Sequence, residues 1–390
     1  MSPARLPFPA GAAVEVVLAI DVGGTKFAAG LVGSDGEVLV ADRVPTPPGG
    51  DAAALWKTLT TLVDSVLDRW PQAVVTGVGA GCGGPMTWPD GVVSPLNMPG
   101  WQAFPLRAML AARFPGMPVR VHNDAICLAA AEHWRGAGRG SADMLGMVVS
   151  TGVGGGLILG GRLIDGGTGN AGHIGHVVVD PEGPECRCGG RGCLEAVARG
   201  PGLAAWALAQ GWTPGAGNSS GSGDTSGTGN IQDAGSIPGV GHTSGTGDAP
   251  AIGDAPRAGT TPSAGDTPGG EPYVEATAAS GRQLAADAAA GDEIALRALT
   301  RAGRALGIAI ASATHLCDLD IVTVGGGLSQ SGPLLFDPLE QALRAHARMD
   351  FARRLRVVPA RLGQDAGLIG AAALLHAAAH YWTAPPQDAP

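Results

Sequence analysis

The sequence is short of positive charge, of long apolar stretches and of widely spaced cysteines, and each shortage removes a class of protein. There are 25 Lys and Arg against 34 Asp and Glu, giving a formal charge of −9 and a pI of about 5.4. The cations are scattered rather than gathered in a stripe, which speaks against a nucleic-acid surface. No run approaches the roughly 20 apolar residues that span a bilayer. The opening MSPARLPFPAGAAVEVVLAI lacks the charged start and long apolar centre of a secretory signal, so a cytoplasmic protein without membrane contact is expected. Six cysteines would suit a disulfide framework in a small secreted domain. Here Cys186, Cys188 and Cys193 crowd together in a chain of 390 residues, which favours a metal. Cys82, Cys127 and Cys317 lie in apolar surroundings and read as small core residues. Residues 213–272 are short of anything to bury: Gly, Ser, Thr, Asp, Ala and Pro dominate, and TSGTG occurs at both 225–229 and 243–247. Burial there cannot offset chain entropy, so the segment reads as a disordered insertion.

What is present has a repeating plan. Single cores stop growing at about 250 residues, so two α/β lobes are expected, at 14–123 and 124–390, with the insertion inside the second. Residues 16–44 hold apolar runs broken by a glycine pair and by Ser34-Asp35-Gly36, a three-strand meander. Leu55, Leu59, Leu62, Val63, Val66 and Leu67 recur at helical spacing over 51–70. Short buried strands are expected at 73–80 and 118–122, the second running into Asn123-Asp124 and a helix. Residues 144–165 repeat the meander. Beyond the insertion, 276–316 reads as helix, 321–324 as strand, 333–348 as helix and AGLIGAAALLHAAAH as a closing helix.

Five constellations carry chemistry. In Asp21-Val22-Gly23-Gly24-Thr25-Lys26 the glycines let backbone approach a phosphate, Thr25 and Lys26 supply donors, and Asp21 can sit near magnesium; a hairpin that needs glycine at positive φ explains the same residues. Ser150-Thr151-Gly152-Val153-Gly154-Gly155-Gly156 and Gly325-Gly326-Gly327 are two more glycine turns, and three at equivalent strand ends suggest a nucleotide cleft between lobes. Asn123-Asp124 pairs a neutral donor with a carboxylate able to take a hydroxyl proton during phosphoryl transfer; alternatively Asn123 caps the next helix and Asp124 complements its dipole. His176 with Cys186, Cys188 and Cys193 makes a closed tetrahedral shell of the kind that holds structural zinc. Glu195 and His173 flank that loop (173–195), placed to clasp sugar hydroxyls; Glu195 as a solvent-facing helix-start acid is the plain alternative.

Together the motifs DVGGT (21–25), ND (123–124), HIGH (173–176) and CRCGGRGCLE (186–195) resemble the ROK family of repressors and sugar kinases, over nearly all of 16–380 outside the insertion. The resemblance implies an actin-like, ribonuclease-H-like fold with ATP and Mg2+ between two lobes, a structural Zn2+ and a homodimer. It also implies Asp124 as catalytic base. The sugar pocket would be made by Gly84, Asn97, Asn123, Asp124, His173, His176 and Glu195. The nucleotide would meet Asp21, Gly23, Gly24, Thr25, Lys26, Thr151, Gly152, Gly154, Gly155 and Gly325–Gly327. Family glucokinases carry glutamate where this chain has His173. AGHIGH, STGVGGG and DAGLIGAA are similar to the N-acetylmannosamine kinases of the family, so that sugar is expected at the 6-hydroxyl, with glucose and N-acetylglucosamine as alternatives. A repressor would need a basic helix-turn-helix ahead of the first strand, and only about 15 residues precede it here; a catalytically silent sugar sensor is the remaining alternative.

Overall fold

The computed structural model describes residues 14–215 and 278–382. Apart from 213–215, the segment expected as a disordered insertion lies outside these residues. β1 (Val14–Val22), β2 (Lys26–Gly33) and β3 (Val38–Pro45) form the expected antiparallel meander, with Val22 opposite Phe27 at its first turn. α1 (Ala52–Asp68) starts at Asp51, whose carboxylate accepts from the Ala54 amide at 2.8 Å. It buries Leu55, Leu59, Leu62, Val63 and Val66, while Leu67 is half-buried at the edge of that stripe. β4 (Ala73–Cys82) pairs parallel to β1. A small ribbon of β5 (Met86–Thr87) and β6 (Val92–Val93) and then α2 (Leu106–Arg113) lead to β7 (Val119–Asn123), parallel to β4. The sheet order is β3-β2-β1-β4-β7.

α3 (Asp124–Arg135) opens a second copy of the plan. β8 (Met144–Val149), β9 (Val153–Leu159) and β10 (Arg162–Leu163) make the meander. Then come α4 (Leu194–Ala198), α5 (Gly200–Ala209), α6 (Ala278–Ala289) and α7 (Glu293–Cys317). β11 (Ile321–Gly325), α8 (Pro333–His346), α9 (Asp350–Arg353) and β12 (Arg356–Pro359) follow, and β11 lies parallel to both β8 and β12. The resulting order, β10-β9-β8-β11-β12, repeats the first sheet strand for strand. The expected helix at 276–316 is two helices. Gly291 stands at φ +95° and Asp292 caps α7 by accepting from the amides of Ile294 and Ala295, so the chain turns between them. The closing helix also divides, into α10 (Ala366–His376) and α11 (Ala378–Tyr381).

The α10 helix returns to the first sheet, where Leu368, Ala371 and Ala372 bury against Val17, Ala19, Ala28 and Val32. It also packs on α3, whose other side lies on β8 and β9. Small residues permit this stacking: a Cβ at Gly79 would overlap the Ala371 carbonyl, and one at Gly370 the Cys127 carbonyl. The helix pair therefore sits between the sheets, and the described residues of both belong to one compact unit. Among the described residues no helix is long and apolar enough to cross a membrane.

Candidate active site

β4 and β7 end side by side, with Cys82 opposite Asn123, so Gly83-Gly84 and Asn123-Asp124 emerge together. The helix start uses part of each polar side chain. Asn123 Oδ1 accepts from the Ala125 amide at 3.0 Å, and Asp124 Oδ1 accepts from the same amide at 2.8 Å. Capping and chemistry are thus compatible, because Asn123 Nδ2 and Asp124 Oδ2 are left over. Both leftovers face the glycine pair. A Cβ added at Gly84 would stand 3.1 Å from Asn123 Nδ2 and 3.3 Å from His173 Nε2, and one at Gly83 would stand 3.8 Å from Asn97 Oδ1 and 3.9 Å from Asp124 Oδ2. His173 Nδ1 lies 2.9 Å from the Asn170 carbonyl, so that nitrogen carries the hydrogen and Nε2 presents a bare acceptor. Burial pushes the His173 pKa down, which holds the ring neutral. Asn170 is itself strapped to β5: its Oδ1 accepts from the Met86 amide at 3.2 Å and its Nδ2 donates to the Met86 carbonyl at 2.9 Å.

The acids of the site are held in unfavourable surroundings. Burial is the main cause that raises the Asp124 pKa, and Glu195 adds to it. Asp21, at the end of β1, is pushed up to about 6, chiefly by burial and then by the Asp124 charge, against the attraction of Lys26 and Arg43. Glu195 lies in the first turn of α4, where its Oε2 accepts from the Val153 amide at 2.9 Å; it is tied to the β8–β9 turn rather than free in solvent.

The three glycine turns serve different local needs. The Gly23 amide donates to the Lys26 carbonyl at 3.0 Å and Thr46 Oγ1 to the Gly23 carbonyl at 2.7 Å, with Thr25 exposed. Neither Gly23 nor Gly24 is among the positive-φ glycines. What excludes a side chain at Gly24 is Asn97, whose amide a Cβ would overlap. The 150–156 run also divides. The turn itself is Ser150-Thr151-Gly152, closed by the Ser150 amide on the Gly152 carbonyl at 2.8 Å. Gly154 and Gly155 lie within β9, paired with Val148 and Met147; a Cβ at Gly154 would come within 2.7 Å of Ala125 on α3. Their lack of side chains answers to packing, and only Thr151 and Gly152 stand at the mouth of the turn. Gly325-Gly326-Gly327 follows β11 beside it, with Gly327 facing Ser150 Oγ.

His176, Cys186, Cys188 and Cys193 bring one ligand atom each to within 4.8 Å of one another. Cys186 Sγ and His176 Nδ1 are 3.7 Å apart, as are the Cys188 and Cys193 sulfurs. A tetrahedral zinc with metal–sulfur bonds of about 2.3 Å has edges of about 3.8 Å, so the donor set fits that ion. The cluster also joins two of the candidate residues: His176 ends the short turn that begins at His173, and Cys193 immediately precedes α4, which carries Glu195. Cys82 and Cys127 are buried and Cys317 is half-buried, as expected of core residues.

No pattern in the sequence points to the side chains beneath the site, His122, Asp165, Trp88 and Asn170. His122 is one more inward residue of a short strand, and its partner Asp165 lies 43 positions away, where no spacing rule reaches.

A profile of the ROK family matches residues 17–378. The chain belongs to the ROK family. It is 31% identical to a glucokinase from Thermotoga maritima over 362 residues, 92% of this chain and 96% of that protein. Against an N-acetylmannosamine kinase from Escherichia fergusonii the identity is 41% over 193 residues, half of this chain and 64% of that protein. The crystal structure of a ROK family glucokinase from Streptomyces griseus, in complex with glucose and AMPPNP, superposes with a TM-score of 0.68 at 28% identity, covering 92% of this chain and 98% of that one. This ROK member therefore has the actin-like ATPase fold that the resemblance of its motifs implied.

Proposed function

We propose that the protein is a sugar kinase that transfers the γ-phosphoryl group of ATP to the 6-hydroxyl of a hexose or N-acetylhexosamine, N-acetylmannosamine first among them. The observation that carries this reading is the convergence of Asp124 Oδ2, Asn123 Nδ2 and His173 Nε2 on the glycine pair Gly83-Gly84. Asp124 Oδ2 accepts the hydroxyl proton while the sugar oxygen forms its bond to phosphorus and the bond from phosphorus to the leaving ADP oxygen breaks. Its raised pKa suits it to hold that proton. Asn123 Nδ2 donates to a sugar oxygen, and His173 Nε2 and the unengaged oxygen of Glu195 accept from sugar hydroxyls. Across the cleft between the two sheets, the turns at Gly24–Thr25, Thr151–Gly152 and Gly326–Gly327 offer backbone amides to the phosphates.

Asp21 fits the cation that accompanies ATP, because a desolvated carboxyl pushed up to about 6 beside a second acid gains from positive charge. Bound there, magnesium supplies neutralisation of phosphate charge. The zinc reading of His176, Cys186, Cys188 and Cys193 is structural: four protein donors close the shell and leave no place for a substrate.

Two observations support N-acetylmannosamine: the neutral acceptor at His173 in place of a carboxylate, and the 41% identity with an N-acetylmannosamine kinase. Glucose is favoured by the glucokinase relative aligned over 92% of this chain. One changed contact shifts sugar preference by about 1–3 kcal/mol, so the test is direct. Purified protein with magnesium-ATP is given N-acetylmannosamine, glucose, N-acetylglucosamine, mannose or fructose, and ADP release is followed, with Asp124→Asn alongside. The expected result is the highest kcat/KM for N-acetylmannosamine and a loss of about 100-fold or more in the variant. A preference for glucose would overturn the His173 argument. No turnover above Asp124→Asn with any sugar would make the protein a sugar sensor.

A further inference from the structure

The base-bearing strand is tied to the sugar-contacting loop by a buried network. His122 is fully buried and the Asp165 side chain is 17% exposed. His122 Nδ1 accepts from the Asn123 backbone amide at 2.8 Å, and its Nε2 lies 2.8 Å from Asp165 Oδ1. The first bond requires Nδ1 to be bare, so the hydrogen sits on Nε2 and is donated to Asp165. The second oxygen of Asp165 accepts from the Trp382 indole at 2.7 Å. The Trp88 ring stacks on His122 with centroids 4.8 Å apart and, at 6.4 Å, on Trp382. The Arg120 guanidinium stands 5.0 Å from the Trp382 ring and donates to the Leu374 carbonyl. The segment that carries Asp165 is held again at the Trp88 amide, which donates to the Thr168 carbonyl at 3.3 Å, and at the Asn170–Met86 clamp.

The placement of these bonds is what gives them consequence. β7 is the edge strand of its sheet among the described residues, and no described strand lies beyond it to fix the peptide that leads into Asn123 and Asp124. The His122 imidazole holds the Asn123 amide instead. From the other nitrogen the bond to Asp165 reaches the segment that ends at His173. One ring thus sets two things at once: the turn of the chain that aims Asn123 and Asp124, and the distance from that turn to the loop bearing His173.

We propose that His122 and Asp165 are positioning residues for phosphoryl transfer, His122 Nδ1 orienting the Asn123-Asp124 pair and the His122–Asp165 bond holding the His173 loop against it. The proposal rests on the reading of Asp124 as base. The two nitrogens can be tested apart. In His122→Asn the amide oxygen replaces Nδ1; Asp42 and Asp124 already accept from the amide of the next residue in this way, both at 2.8 Å. That variant keeps the acceptor and loses the reach to Asp165. In His122→Gln the longer side chain reaches toward Asp165 and the acceptor for the Asn123 amide is lost. Asp165→Asn weakens the loop tie alone, and Trp382→Phe removes the indole donor while keeping the ring.

The experiment measures kcat, sugar KM, ATP KM and melting temperature for the wild-type chain and these four variants, with the sugar that the wild type turns over. Displacement of a reacting group by about 1 Å costs up to about 100-fold in rate, so His122→Gln is expected to lose about tenfold or more in kcat. His122→Asn and Asp165→Asn are expected to raise sugar KM about tenfold with kcat within about threefold, and Trp382→Phe to raise it about threefold. ATP KM stays at the wild-type value in all four. Variants with wild-type kcat and sugar KM overturn the proposal while leaving the kinase reading intact. So do variants in which sugar KM, ATP KM and melting temperature worsen together, since that pattern marks a merely structural role. A wild type without turnover on any sugar sinks the kinase reading and this proposal with it.

Discussion

The two sheets are built to one order, yet they end in different chemistry. On the first, polar side chains stand at the strand ends: Asp21 is next to last in β1, Asn123 ends β7 and Asp124 follows it as the first residue of α3. On the second, β8, the counterpart of β1, runs out into Ser150-Thr151-Gly152, and β11, the counterpart of β4, into Gly325-Gly326-Gly327, where backbone is the main polar surface as it is at Gly83-Gly84 after β4. The electrostatics follow. Two acids on the first sheet share one desolvated space and both have raised pKa values, whereas the second sheet brings only Glu195, already bonded to the Val153 amide. A duplicated plan therefore places desolvated acids beside a glycine turn at one set of strand ends and glycine turns with Glu195 at the other. The difference lies in the last two or three residues of each strand rather than in the sheets.

Asp21→Asn should break the comparison most severely, because it leaves one acid where there were two. Folding lifts the Asp21 pKa from 3.8 to about 6, so between those values the native state binds the proton more tightly than the unfolded chain. Stability from this group accordingly falls as pH rises from about 4 through 6, and above 6 the cost is complete. Without nucleotide or metal, Asp21→Asn should be more stable than the wild type at pH 7.5 by at most roughly 2–3 kcal/mol, and that gain should vanish as pH is lowered toward 4. Turnover should fall about 100-fold or more, because the carboxylate that would hold the magnesium against the phosphates is lost. Denaturant unfolding at pH 4 to 8 and the coupled assay measure the two effects. A variant no more stable than the wild type at pH 7.5 would mean that the site does not hold Asp21 at a cost.

The first sheet was the more legible in the sequence, and the reason is local. Strand, polar pair and helix are contiguous in VRVHNDAICLAAAEHW, so Asn123 and Asp124 could be put at a strand end from the sequence, with the role of base coming from the family resemblance, and three cysteines in eight positions marked a candidate metal loop. The sequence could not separate a glycine of the turn from one that admits a helix: Gly152 lies in the turn, where a Cβ would come within 2.8 Å of Glu195 Oε2, whereas Gly154, two residues on, is set by Ala125 on α3. Nor could it divide 276–316, where an alanine-rich pattern runs across Gly291 and one side-chain cap decides the break. The boundary at 124 suffers the same limit, because α10 returns from the far end of the chain to pack on β1, β2 and β4. Asp165 and His122 escape for the reason α10 does: each depends on a contact that only the folded chain brings about.

Removing metal should sharpen the comparison by loosening only the second half of the sugar pocket. If His176, Cys186, Cys188 and Cys193 hold zinc, the ion fixes both His173 and Glu195 from below without touching Asp21, Asn123 or Asp124. Stripping it with a chelator, with loss confirmed by metal analysis, should lower the melting temperature by several degrees, since a closed zinc shell contributes directly to folding. Sugar KM should rise about tenfold while ATP KM changes less than about twofold. An unchanged melting temperature in verified metal-free protein would remove the metal from the account.

The smallest expected effect tests the backbone side of the comparison. Gly326 adopts φ +89°, and a Cβ there would overlap the Val149 carbonyl at the end of β8. Gly140 has nearly the same φ, +82°, with open space around it. Gly140→Ala therefore isolates the conformational cost, about 1 kcal/mol, whereas Gly326→Ala adds displacement of β8 against β11 and should cost about 2–3 kcal/mol. Because Gly327 faces Ser150, that displacement moves the two turns together. ATP KM should rise about threefold in Gly326→Ala with sugar KM unchanged, and neither should move in Gly140→Ala. If Gly326→Ala alters sugar KM instead, the second sheet shapes the sugar pocket as well as the phosphate turns, and the division of labour between the two strand ends fails.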